Sequence, residues 1–171
     1  MASRDPQKNE SDIFAEWMAT HGGIIVKIVR GFTSDPANAE DLTQDITLAV
    51  WRSIRSFRGE SKPSTWIWRI ALNQAISWQR AAKDPPIVLD EALVDSVELS
   101  TADRSDAGLA VDSIYDAIRT LAPIDRSLII LALEGHSYAE IAETTGLSQS
   151  NVGARLSRAR ARLTEHLEMT R

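Results

Sequence analysis

The chain has 171 residues, 43% hydrophobic and 25% charged, enough to build a buried core in one domain or two small ones. It carries a net charge of −5 and no cysteine, which argues against a nonspecific nucleic-acid coat and excludes disulfides, thiol catalysis and cysteine-ligated zinc. No apolar run approaches the ~20 residues of a bilayer span, and the polar start MASRDPQKNES lacks the apolar region of a signal peptide.

Strand signals are scarce and apolar residues recur at spacings of three and four, so the expected fold is all-α. Residues 1–11 read as a disordered lead. A first helix is expected from near Asp12, with Ile13, Phe14, Trp17 and Met18 on one face. Gly22-Gly23 offers a break before IIVKIVRGF. Asp35-Pro36 marks a second start, and Leu42, Ile46, Ala49, Val50 and Ile54 follow at helical spacing. FRGESKPS is a break, and Ser64 or Thr65 is the expected cap of the next helix, WIWRIALNQAISWQR. Lys83-Asp84-Pro85-Pro86 ends it.

Charge is unevenly spread. Residues 12–82 hold eight Lys/Arg against seven Asp/Glu, residues 83–112 two against eight, and residues 113–171 seven against seven. The acidic segment has no sustained period, and a structureless stretch of that length is unusual inside one compact domain. The predicted division is therefore a lead (1–11), a first domain (12–83), an acidic linker (84–112) with a short helical piece near LDEALVD, and a second domain (113–171).

In that second domain SIYDAIRTL is followed by Pro123 opening IDRSLIILALEG. Ser137 and Glu140 have capping-box spacing, Gly146 sits where a left-handed C-cap belongs, and Ser148 is placed to cap the last helix. Helix, glycine turn, helix is the helix-turn-helix pattern. Between Glu143 and Glu165 there is no acidic residue, and Arg155, Arg158, Arg160 and Arg162 fall in that gap. Val152, Leu156, Ala159 and Leu163 form the core stripe, which leaves arginine on other faces. A helix so loaded suits DNA. Ser148, Gln149, Ser150, Asn151 and Ala154 lie at the end that enters a major groove, where Gln and Asn can read adenine and Arg can read guanine; arginines further along suit phosphates.

Four of the five tryptophans, Trp51, Trp66, Trp68 and Trp78, fall among arginines and a lysine in the first block. Cations beside aromatic rings suit unstacked single strands. Trp66, Ile67, Ile70 and Ala71 are expected in the core, and Trp68, two positions from Trp66, on the opposite side of the helix. His21, His136 and His166 sit in separate elements without metal-ligand spacing, and no phosphate-cradling loop or nucleophile motif is present, so the reading is a non-enzyme without metal or cofactor.

The segments AEDLTQDITLAVWRSIRSFRGESKPSTWIWRIALNQAISWQR and LAPIDRSLIILALEGHSYAEIAETTGLSQSNVGARLSRARARL together resemble the extracytoplasmic-function (ECF) group of bacterial RNA polymerase sigma factors. The resemblance implies two small helical domains, like sigma regions 2 and 4, in a cytoplasmic protein that directs promoter-specific initiation. Glu40, Asp41, Gln44, Asp45 and Leu48 match the surface for core polymerase, whose β′ coiled coil and β flap are the implied contacts. Arg58, Ser61, Lys62, Trp68, Arg69, Asn73 and Arg80 match the side that takes the opened strand of the −10 element, and the Phe57–Ser64 loop matches the part that captures a flipped base. Ser148, Gln149, Ser150, Asn151, Ala154, Arg155, Arg158, Arg160 and Arg162 match the reader of the duplex −35 element. Family members are commonly held by an anti-sigma factor. The acidic segment reads either as a nucleic-acid mimic in polymerase channels or as a solvated tether. Leu72 and Gly153 depart from the family, which often has basic residues at both places. The rival is a free-standing dimeric helix-turn-helix regulator acting through residues 113–171, which leaves the Trp/Arg block unexplained.

Overall fold

The computed structural model describes residues 9–83 and 106–169. The described residues form α1 (Glu10–Phe32), α2 (Pro36–Ser53), a 3-10 turn (Ile54–Ser56), α3 (Pro63–Lys83), α4 (Asp106–Arg119), α5 (Pro123–Leu133), α6 (Tyr138–Thr145) and α7 (Gln149–Met169). No strand occurs among them, as the apolar periodicity predicts.

The caps explain most boundaries. Asn9 Oδ1 accepts from the Asp12 amide at 2.9 Å, so α1 starts at Glu10 and takes in two residues assigned to the lead. Gly22 and Gly23 do not break it. Each glycine costs a helix about 1 kcal/mol, but Trp17, Ile24, Ile25, Ile28, Val29 and Phe32 are all buried along α1, and that packing outweighs the cost. Asp35 Oδ2 caps α2 through the Asn38 amide at 2.8 Å, with Pro36 in the first turn. α3 opens at Pro63, a residue or two before the predicted cap, because proline's missing N–H is an orphan there anyway. α4 begins at Asp106, inside the stretch assigned to the linker. The rest of that stretch, 84–105, with the LDEALVD piece, lies outside the described residues.

α1, α2 and α3 pack together around fully buried Ile28, Leu42, Ile46, Val50 and Ile67. α4 to α7 pack around Ile118, Leu128, Leu131, Ile141, Val152 and Leu156. The two groups do not stand apart. α1 lies against α4 and α5, and α3 against α5 and α6, so one hydrophobic cluster runs through both. Gly31 makes the closest crossing possible. A side-chain carbon there would fall inside the contact distance of Ile130 Cδ1 and 3.4 Å from its Cγ1.

Arg126 of α5 ties the crossing. It is 7% exposed. Its Nε donates to Leu121 O at 2.7 Å, one Nη to Gln79 Oε1 of α3 at 2.8 Å and to Phe32 O of α1 at 3.5 Å, and the other Nη to Arg119 O. Its guanidinium also lies over the Phe32 ring, 5.6 Å from the centroid. Burial, helped by neighbouring Arg119, lowers its pKa, yet an arginine so donated to four oxygens stays cationic. Lys27 pairs with Glu134 and Arg30 with Asp112 at 2.7 Å across the same boundary.

This packing corrects the predicted face of α3. The buried stripe is Ile67, Trp68, Ala71, Leu72 and Ala75, while Trp66 and Ile70 are only partly buried. Trp68 is 3% exposed and its ring meets His136 edge-on at 5.8 Å. A helix covered from two sides buries a wider arc than one covered from one side.

Candidate nucleic-acid interface

The helix-turn-helix is built by local rules. The Ser137 hydroxyl accepts from the Glu140 amide, and Glu140 Oε2 accepts from the Ser137 amide at 2.8 Å, a complete capping box. The Ser137 amide first, and its hydroxyl second, hold the Glu140 carboxyl below its usual pKa. α6 ends at Gly146 with φ 74°, a left-handed turn that admits glycine without strain. Ser148 Oγ then accepts from the Asn151 amide at 3.3 Å and lies 3.2 Å from Ser150 Oγ.

On α7 the stripe Val152, Leu156 and Ala159 is buried and Leu163 partly so. Ser148, Gln149, Ser150, Asn151 and Ala154 are exposed together at the N-terminal end. The four arginines divide. Arg158 and Arg162 are exposed, with no partner among the described residues. Arg155 is partly buried and donates to Asp125 Oδ1 at 2.8 Å, so it braces α7 on α5. Arg160 is exposed and reaches the Tyr138 hydroxyl at 3.3 Å. The Tyr138 ring seats over Gly153, where a side-chain carbon would sit 3.4 Å from Cε2. That seat gives Gly153 a packing role. Tyr138 and Asp125 are absent from the predicted site; only a fold that brings α5 and α6 onto α7 points to them.

A second face lies on the first three helices. Ser56, Phe57, Arg58, Glu60, Ser61 and Trp66 line a cavity of about 200 Å³. Drug-sized ligands need about 300–1,000 Å³, so this is a hollow for one ring system. Gly59, at φ 75°, turns the loop over it. Two of its lining rings, Phe57 and Trp66, meet at 5.5 Å, and buried Trp17 backs Phe57 at 5.0 Å. Trp66 Nε1 donates to Ser53 Oγ at 2.9 Å, which fixes the indole. Arg58, Lys62, Asn73 and Arg80 are exposed around this side, and Ser61 is half-buried. Trp68, predicted to face the strand, does not belong to this surface, because α5 and α6 cover it. Arg69 is half-buried and donates to Glu143 O at 3.0 Å.

The third face is the outer side of α2. Glu40, Asp41, Gln44 and Asp45 are exposed, and Leu48 is 45% exposed. Gln44 Nε2 donates to Glu40 Oε1 at 3.3 Å. Beside them Phe14, Thr43, Gln44, Thr47, Leu48 and Trp51 line an apolar groove of about 380 Å³. An acidic rim on an apolar floor fits a basic, amphipathic helix. Among the described residues no group of three His, Asp or Glu could hold a metal, and no helix is long and apolar enough to cross a membrane.

A capped helix-turn-helix bearing exposed arginines, packed on a tryptophan-rich bundle with an acidic outer helix, defines a DNA-binding protein of two helical blocks. Family models agree on both. Sigma-70 region 2 matches residues 17–84 and Sigma-70 region 4 matches residues 112–163. The RNA polymerase sigma-E factor of Streptomyces antibioticus is 30% identical over 156 residues, covering 91% of this chain and 84% of the relative. The ECF RNA polymerase sigma factor SigL of Mycobacterium tuberculosis is 31% identical over 138 residues, 80% of this chain and 78% of the relative. A solved structure, the sigma factor RpoE of Bartonella quintana in complex with the anti-sigma factor NepR, superposes with TM-score 0.66 at 26% identity, covering 94% of this chain and 99% of that one. The chain belongs to the ECF family of RNA polymerase sigma factors, non-enzymatic factors of transcription initiation. The free-standing dimeric regulator finds no support, since the matches extend through both blocks.

Proposed function

We propose that this sigma factor divides promoter reading between its two blocks, 12–83 and the helices from α4 onward. The −35 duplex lies along α7, with Ser148 to Ala154 toward base edges and Arg158 and Arg162 on phosphates. One unpaired base of the −10 strand enters the hollow between Phe57 and Trp66, with Arg58, Lys62, Asn73 and Arg80 along the backbone. Core polymerase docks its β′ coiled coil on the acidic rim and apolar groove of α2, and its β flap on the second block. The protein acts in the cytoplasm, where polymerase is. An anti-sigma partner is part of the proposal; the Bartonella quintana relative was solved with one.

The observation that carries the reading is the coexistence, in one chain, of a ring-sized aromatic hollow beside cations and a separate arginine-bearing helix-turn-helix. Holoenzyme binding to a promoter fragment unpaired at the −10 element, compared with the same fragment fully paired, tests it. The unpaired fragment is expected to bind more tightly, because extruding a base from a duplex costs a few kcal/mol. Equal binding would remove the hollow from the mechanism.

A further inference from the structure

From Ile46 to Lys83 the chain has a single acidic residue, Glu60, against seven Lys/Arg. That one carboxylate lines the hollow with Phe57 and Trp66, one glycine away from Arg58. It is exposed, with no side-chain partner among the described residues. On a surface for a polyanion its place is unfavourable. A carboxylate and a phosphate both carry negative charge and both only accept hydrogen bonds, so Glu60 repels any strand alike. Only a donor on the strand can offset that, and the sugar-phosphate backbone of DNA has none. The donors are on the base edges.

The lining narrows which edge fits. Phe57 and Trp66 supply apolar walls for a ring, which leaves its edge to Ser56, Arg58, Glu60 and Ser61. Gly59, at φ 75°, turns the backbone between Arg58 and Glu60. Arg58 only donates, the serine hydroxyls do either, and Glu60 only accepts. An exocyclic amino group gives Glu60 its donor, and the ring nitrogen and carbonyl beside it in cytosine take donors from Arg58 or a serine. Thymine sets two carbonyl oxygens about a single N–H, so oxygen meets oxygen at Glu60 and the desolvated acceptors go unpaired.

We propose that Glu60 makes the hollow selective for a base bearing an exocyclic amino group and rejects thymine. The inference rests on the promoter reading given above and adds the class of base. Cytosine against uracil is the sharpest comparison, since both are single rings without thymine's methyl group and they differ only along this edge.

Holoenzyme with the wild-type chain or with Glu60→Gln is titrated against promoter fragments unpaired at the −10 element. Each unpaired position in turn carries cytosine, adenine, uracil, thymine or no base. Weaker binding of an abasic fragment marks the position that enters the hollow. There the wild type is expected to bind cytosine and adenine at least about fivefold more tightly than uracil and thymine, the low end for a base-edge contact. Glutamine both donates and accepts, so it can pair with uracil or thymine. Glu60→Gln is therefore expected to bind those two more tightly than the wild type does and to close the gap to about twofold or less. A gain in binding cannot come from a misfolded variant. Equal wild-type affinity for all four bases at the marked position, a preference for thymine, or a gap that Glu60→Gln leaves unchanged would each overturn selection by Glu60 while leaving the hollow in place. If paired and unpaired fragments bind alike, or no abasic position weakens binding, the hollow itself leaves the mechanism and the role of Glu60 goes with it.

Discussion

The arginines of α7 should separate by assay. Arg158 and Arg162 are exposed, with no partner among the described residues, whereas Arg155 is bound to Asp125, a carboxylate whose side chain is only 16% exposed. Each phosphate contact contributes about 0.9 to the slope of log affinity against log salt. Losing one by Arg158→Ala therefore makes binding about 3.5-fold less sensitive to a rise from 50 to 200 mM salt. Arg155→Ala removes a brace instead. It leaves Asp125 partly buried without its cation, a loss of about 1–2 kcal/mol, softened because Asp125 lies in the first turn of α5. At about 2–4 °C per kcal/mol for a chain this size, the melting point drops by about 2–8 °C. Holoenzyme binding to a −35 duplex across a potassium chloride series gives the slope, and calorimetry of the free variant gives the melting point. If Arg155→Ala lowers the slope as much as Arg158→Ala and melts like wild type, the division of roles is wrong.

Asp45→Arg should weaken holoenzyme assembly at least about tenfold by placing a cation in the acidic rim, while the melting point moves by no more than about 2 °C; undiminished polymerase capture would reject the face. Trp66→Ala should weaken binding of a −10 single strand by roughly 5- to 150-fold, the range of one base–aromatic stack, and Trp66→Phe, which keeps a ring, by less. Equal losses would point to the Ser53 hydrogen bond and not to stacking. Glu140 gives a signed pH effect. Its folded pKa is depressed by Ser137, so its stabilisation is complete above the unfolded value near ~4.3 and fades as pH falls through the folded value. Wild type should therefore melt above Glu140→Gln at pH 7, and the gap should close in acid. A gap independent of pH would contradict the capping-box assignment.

Much of the fold was legible because local chemistry decided it. Asp35-Pro36, Ser137 with Glu140, Gly146 and Ser148 all sit where their residue types require. The α7 stripe and the exposed outer face of α2 follow directly from periodicity. What remained hidden depends on distant partners. Nothing near Trp68 indicates that a second block will cover it, and an acidic, unperiodic segment between the blocks suggests separation. The clue was Gly31, a small residue in an apolar run, whose role is visible only once Ile130 is opposite. The hollow under Gly59 was legible as a loop, but Trp17, ~40 residues upstream, backs its Phe57 wall edge-on from the core. Trp66 was expected in the core and lines this hollow instead.

Core RNA polymerase alone and core with added chain, on fragments spanning the source genome's promoters, give the most direct measurement: transcript 5′ ends mapped under both conditions. New, discrete start sites that appear only with the chain, each preceded by shared sequence near −10 and −35, are the expected result. An unchanged set of start sites, with tight binding of the chain by itself to duplex DNA, would contradict it.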